Sequence, residues 1–153
     1  MKEIDKNIKI LQSILYDPIS NILLNHCNLT RIQFETLVID TIIENTVSLD
    51  DSYENKKKFR LKNISRGSFR RTLQQARKNI ISSIFTILLL YYIGYFEKVP
   101  LDDYLIISEQ LKKYIEIINS LDSKEKDKII FNLEKELLEG IRKLSEPKYL
   151  KKL

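Results

Sequence analysis

The chain has 153 residues, with 26 Lys and Arg against 21 Asp and Glu, a net charge of +5, and 43% apolar residues. That length and apolar content suit one folded domain with its own core and exclude a disordered tail, while three Gly and three Pro leave too few turn residues for an all-β fold. One His (His26) and one Cys (Cys27) exclude an internal disulfide framework and a structural zinc site within one chain, and any Ser-His-Asp or Cys-His chemistry would rest on His26 alone.

Charges at Lys2, Glu3, Asp5, Lys6 and Lys9 interrupt any early apolar run, so no secretory leader is expected and a cytoplasmic location is. Ile4, Ile8, Leu11 and Leu15 then recur at four, three and four residues, the spacing of one helix face. Asp17-Pro18 reads as an N-cap with a first-turn proline, opening a short helix with Ile19, Ile22 and Leu23 inward. His26-Cys27 is expected at the end of that helix, packed near the core.

Thr30-Arg31-Ile32-Gln33 forms a capping box: the Thr30 hydroxyl reaches the Gln33 amide and the Gln33 side chain reaches back. Leu29 and Phe34 occupy the hydrophobic-staple positions. Phe34, Leu37, Val38, Thr41 and Ile42 make one stripe, so a helix is predicted over 30–45.

Charge is then distributed unevenly. Residues 55–96 include no Asp or Glu, and ten bases fall within 56–78: Lys56, Lys57, Lys58, Arg60, Lys62, Arg66, Arg70, Arg71, Arg77 and Lys78. The rest of the chain carries 16 bases against 21 acids, a net charge of −5. Solvated helix faces normally mix the two signs, because opposite charges at i, i+4 support a helix and like charges weaken it. Excluding acids over 42 residues therefore points to an anionic partner.

Ser65 or Gly67 can open the next helix, whose Phe69, Leu73, Ala76, Ile80, Ser83, Ile84 and Ile87 follow one face. Arg66, Arg70, Arg71, Gln74, Arg77 and Lys78 project on other sides. Arg and Gln suit guanine and adenine edges, further Arg and Lys clamp phosphates, and Ser65 and Ser68 lie at the positive end of the helix dipole. The stretch Ile64-Ser65-Arg66-Gly67-Ser68-Phe69-Arg70-Arg71-Thr72-Leu73-Gln74-Gln75-Ala76-Arg77-Lys78-Asn79-Ile80 resembles the recognition helix of region four of bacterial sigma factors. Upstream, Leu29-Thr30 with Glu35 and Leu37 is similar to the opening of that region and of LuxR-type helix-turn-helix domains. The resemblance covers 29–80. It implies that Arg66, Ser68, Arg70, Arg71 and Gln74 face DNA while Phe69, Leu73 and Ala76 face the core. The chain departs from the family in a short insertion before Ile64-Ser65, and in Lys56, Lys57 and Lys58 where apolar and small residues are usual. Its Ile-, Lys-, Asn- and Leu-rich composition resembles that of proteins from AT-rich genomes, archaea among them.

The seventeen uncharged residues 80–96 fall short of the about twenty apolar residues of a spanning helix, and Ser82, Ser83, Thr86 and Gly94 interrupt them. A buried core helix or dimer helix is expected there, and no membrane. Pro100 can begin a helix carrying Leu105, Ile106, Leu111, Ile115 and Ile118. Asp122-Ser123-Lys124-Glu125 is a second capping box, after which Ile130, Leu133, Leu137, Ile141 and Leu144 form a coiled-coil-like seam suited to intramolecular packing or to a homodimer. Residues 148–153 read as a frayed tail.

The sequence thus predicts a single all-α domain over 1–153 with five to seven helices. It would have a helix-turn-helix-like DNA-binding core at 29–80 and a C-terminal helical hairpin at 100–145, available for dimerisation. The expected function is sequence-specific binding of double-stranded DNA by a homodimeric transcriptional regulator, with the ten bases plus Ser65, Ser68 and Gln74 as its contacts. An RNA-binding or assembly subunit of a larger ribonucleoprotein or polymerase complex is the alternative. No enzyme activity and no cofactor are expected, since Gly67, Gly94 and Gly140 are isolated and build no phosphate-cradling loop.

Overall fold

The computed structural model describes residues 2–46, 53–59, 64–96 and 101–145. Within them lie seven α-helices and no strand: α1 (Lys2–Leu15), α2 (Pro18–Asn25), α3 (Arg31–Glu44), α4 (Tyr53–Lys58), α5 (Arg66–Tyr92), α6 (Leu101–Ser120) and α7 (Ser123–Ser145). Arg60, Lys62, Pro100 and the expected tail at 148–153 lie outside the described residues. The chain forms two compact units, 1–83 and 84–153, with α5 contributing to both.

Local chemistry starts the helices of the first unit. Asp17 accepts the Ser20 N–H at 2.6 Å and Pro18 supplies the first turn of α2. Both halves of the Thr30 capping box are present: the Thr30 hydroxyl accepts the Gln33 N–H at 3.3 Å, and Gln33 Oε1 accepts the Thr30 N–H at 2.9 Å. Losing an N-cap oxygen costs about 1 kcal/mol, so Thr30→Ala is expected to lower stability by about that much in urea unfolding. A Thr30→Ser control should retain most of it.

The core of this unit joins Leu11 and Leu15 of α1, Ile39 and Ile43 of α3, Phe59 after α4, and Phe69 of α5. Ile4, Ile8, Phe34, Val38, Ile42, Ile64 and Leu73 pack around them. The α1 face is the one its spacing predicts. On α3, however, burial is centred on Thr36, Ile39, Asp40 and Ile43, with Gln33 and Glu35 also buried. Phe34, Leu37, Val38 and Ile42 are only half-buried and Thr41 is exposed. The helix is turned from its apolar stripe because it packs against α1 and α4 together and bonds to α5 through polar side chains. Asn7 of α1 secures the far end of α3, donating to the Thr46 hydroxyl at 3.0 Å.

Two expectations near α2 are corrected. Leu23 is exposed, since Ile19 and Ile22 alone cover the buried side of this two-turn helix. His26 and Cys27 are also exposed and not packed near the core. His26 is the α2 C-cap, and its backbone N–H donates to Leu23 O at 3.2 Å, which leaves the ring outside.

In the second unit, α5 ends in a Schellman arrangement: the Tyr95 N–H donates to Leu90 O at 2.9 Å and the Gly94 N–H to Tyr91 O at 3.0 Å. Gly94 has φ of 74°, a left-handed conformation that a Cβ disfavours. Gly94→Ala is accordingly expected to destabilise this helix end by about 1 kcal/mol, read as faster amide exchange at Tyr95. Leu121 and Asp122 connect α6 to α7, and Asp122 accepts the Glu125 N–H at 3.0 Å. Leu111 and Ile118 of α6 and Leu133 of α7 are buried. Along the predicted seam Ile130 and Leu137 are half-buried and Ile141 is exposed, as are Leu105 and Ile106 of α6. Among the described residues no helix is long and apolar enough to cross a membrane.

Candidate nucleic-acid interface

The basic segment starts at α4 and continues through the first half of α5. Ser65 opens α5: its hydroxyl accepts the Ser68 N–H at 3.1 Å and its carbonyl the Phe69 N–H at 3.0 Å. From there the buried Phe69 and Ala76, with half-buried Thr72 and Leu73, hold one side of the helix against the core. Arg66, Arg70, Arg71, Gln74, Arg77 and Lys78 are exposed on the remaining circumference, and Ser68 is half-buried.

A buried carboxylate joins this helix to its neighbours. Asp40 on α3, whose side chain is 5% exposed, meets Lys56 Nζ of α4 at 2.6 Å and Arg77 Nη2 of α5 at 2.7 Å. The Lys56 side chain is itself only 10% exposed, and its ammonium lies 5.8 Å from the centre of the Phe69 ring. Arg77 reaches Glu44 as well, at 3.6 Å. A carboxylate bonded to two cations satisfies more of its lone pairs than a single pair can, which is the condition for tolerating charge in an interior. Three helices are thereby fixed through one side chain.

A second polar connection lies at the start of α3. Asn79 of α5 donates to Asn28 O at 2.7 Å and to Gln33 Oε1 at 3.3 Å, so the capping-box glutamine also touches α5. Asn28 in turn donates to the Ser83 hydroxyl at 3.4 Å. Asn79 and Arg77 thus tie α5 to the two ends of α3.

The thirteen residues expected to bind DNA therefore divide. Lys56 and Arg77 are engaged with Asp40. Ser65 spends its hydroxyl as a helix cap. Lys57 and Lys58 are exposed, with Lys58 Nζ 3.0 Å from Asn55 Oδ1. Arg66, Ser68, Arg70, Arg71, Gln74 and Lys78 share α5, whereas Arg60 and Lys62 are outside the described residues. Asp40 is the residue that the sequence reading overlooked. Its one local signal was an acid set between the apolar Ile39 and Ile43; that this side is buried beside a cation follows from the packing of α4 and α5. Among the described residues no three His, Cys, Asp or Glu side chains gather as a metal site. No protein-family model, curated protein or solved structure matches the chain.

Proposed function

We propose that the first half of α5 is the recognition helix of a helix-turn-helix-like centre, and that the protein is a transcriptional regulator binding double-stranded DNA as a homodimer with a C-terminal helical hairpin. The observation that carries this reading is the division of labour within the basic segment. Lys56, buried, and Arg77, half in solvent, are both bonded to Asp40 and brace α4 and α5, while Arg66, Arg70, Arg71, Gln74 and Lys78 are exposed along one helix. A helix held this way presents a fixed row of donors, which suits insertion into a major groove about 12 Å wide. The absence of acids from 55–96 removes repulsion with phosphates over the same surface.

Competition between duplex DNA and structured RNA tests the reading. Duplex DNA is expected to displace the RNA, and preference for structured RNA would reject the proposal. Salt dependence then separates the lysines of α4. Each phosphate neutralised contributes about −0.9 to the slope of log affinity against log salt. Lys57→Ala with Lys58→Ala should flatten that slope, and an unchanged slope would assign both side chains to solvent. Lys56→Ala should act on stability instead, because its ammonium is bonded to Asp40.

A further inference from the structure

The second half of α5 carries a face that no described residue of its own unit covers. Ile84, Phe85, Leu88, Leu89 and Tyr92 follow the i, i+1, i+4, i+5, i+8 spacing of one helix side, and they are 53, 66, 55, 58 and 73% exposed. These five side chains leave roughly 600 Å² of apolar surface in water, at or above the largest patch of an ordinary monomer. Tyr91, 45% exposed at the edge, brings the strip to about 700 Å², close to the roughly 800 Å² per partner of a standard stable interface.

The chemistry of the strip selects its occupant. Residues 80–96 include no charged side chain, so the strip offers no ion to pair with a charged partner and no repulsion to a copy of itself. An uncharged apolar strip is self-complementary, which is what an isologous two-fold contact requires. The exposed apolar residues of α7 differ: Phe131, Leu138 and Ile141 alternate with Lys128, Lys135, Glu139 and Arg142, a mixed surface that water solvates more readily.

We infer that this face of α5 packs against the same face of a second copy of the chain. The inference deepens the homodimer half of the proposed function and rests on it, but it does not depend on DNA. It places the interface on Ile84, Phe85, Leu88, Leu89 and Tyr92, and not on the Leu137–Ile141 seam of α7.

Sedimentation without nucleic acid tests it. At micromolar concentration the wild type is expected at twice the chain mass of 18.2 kDa, and Phe85→Gln with Leu88→Gln at the mass of one chain with unchanged helical circular dichroism. Leu138→Gln with Ile141→Gln should remain dimeric. Leu88 is central in the strip and lies near its own counterpart whether the helices run parallel or antiparallel. Leu88→Cys in a Cys27→Ser background should therefore give an interchain disulfide on mild oxidation, and the Cys27→Ser parent should not. This readout stands if the glutamine variant fails to fold. A monomeric wild type, a dimer that survives the α5 glutamines, one broken only by the α7 substitutions, or a monomer that floats with phosphatidylglycerol vesicles would each overturn the inference. Failure to bind DNA with the dimer intact would reject the proposed function alone.

Discussion

Asp40→Ala is expected to destabilise the first unit by about 3–5 kcal/mol, because it removes one charge of a buried ion pair and takes the 2.6 Å carboxylate contact from the Lys56 ammonium. The Arg77 arm adds little to that cost, since its side chain is 55% exposed and water can replace the lost carboxylate. Against a total stability of about 5–15 kcal/mol, the loss is a large fraction. Urea unfolding followed by circular dichroism measures it, and a loss below about 1 kcal/mol would show that the buried pair does not form. The double replacement Asp40→Leu with Lys56→Leu removes both charges together. It should recover most of the loss, because apolar residues of similar volume often replace a buried pair at no cost. Under the proposed function, in which the ion pair acts only to hold α4 and α5, that double variant is expected to bind duplex DNA as the wild type does.

The second large effect concerns sequence reading. Arg66, Arg70 and Gln74 lie four residues apart along α5 and are all exposed. Arg77, one heptad beyond Arg70, turns instead to Asp40. Arg70 is central in the row and can donate twice to the O6 and N7 of one guanine. Arg70→Ala should therefore cost about 1–3 kcal/mol on the preferred duplex and much less on random duplex. Arg70→Lys keeps the charge but loses the planar fork, so it should restore the random affinity without restoring the preference. The quantity to measure is the ratio of the two affinities at fixed salt. A wild-type ratio near one, or a ratio unmoved by both substitutions, would remove Arg70 as a base reader and favour a charge-driven contact with any polyanion.

Much of the helical framework is legible in the linear chain, for a physical reason. Caps and helix faces are interactions between residues three or four apart, so Asp17-Pro18, the Thr30–Gln33 box and Asp122 start their helices from local sequence alone. The all-α class follows from these signals and from the scarcity of turn residues, and the α1 face follows from its period.

What the tertiary structure alone decided concerns residues far apart in sequence. Lys56, the first of three lysines in a row, looks like a solvated phosphate binder until Asp40, sixteen residues earlier, is placed beside it. Arg77 is drawn out of the basic row by the same carboxylate across thirty-seven residues. On α3 the apolar stripe gave the wrong centre of burial, since periodicity identifies an apolar side but not which neighbours cover the other sides. The same limit applies to Ile84, Phe85, Leu88, Leu89 and Tyr92, whose spacing marks a face and whose exposure only the packed unit reveals. Charge pairing and burial depend on distance through space, and that is what the order of residues along a chain does not encode directly.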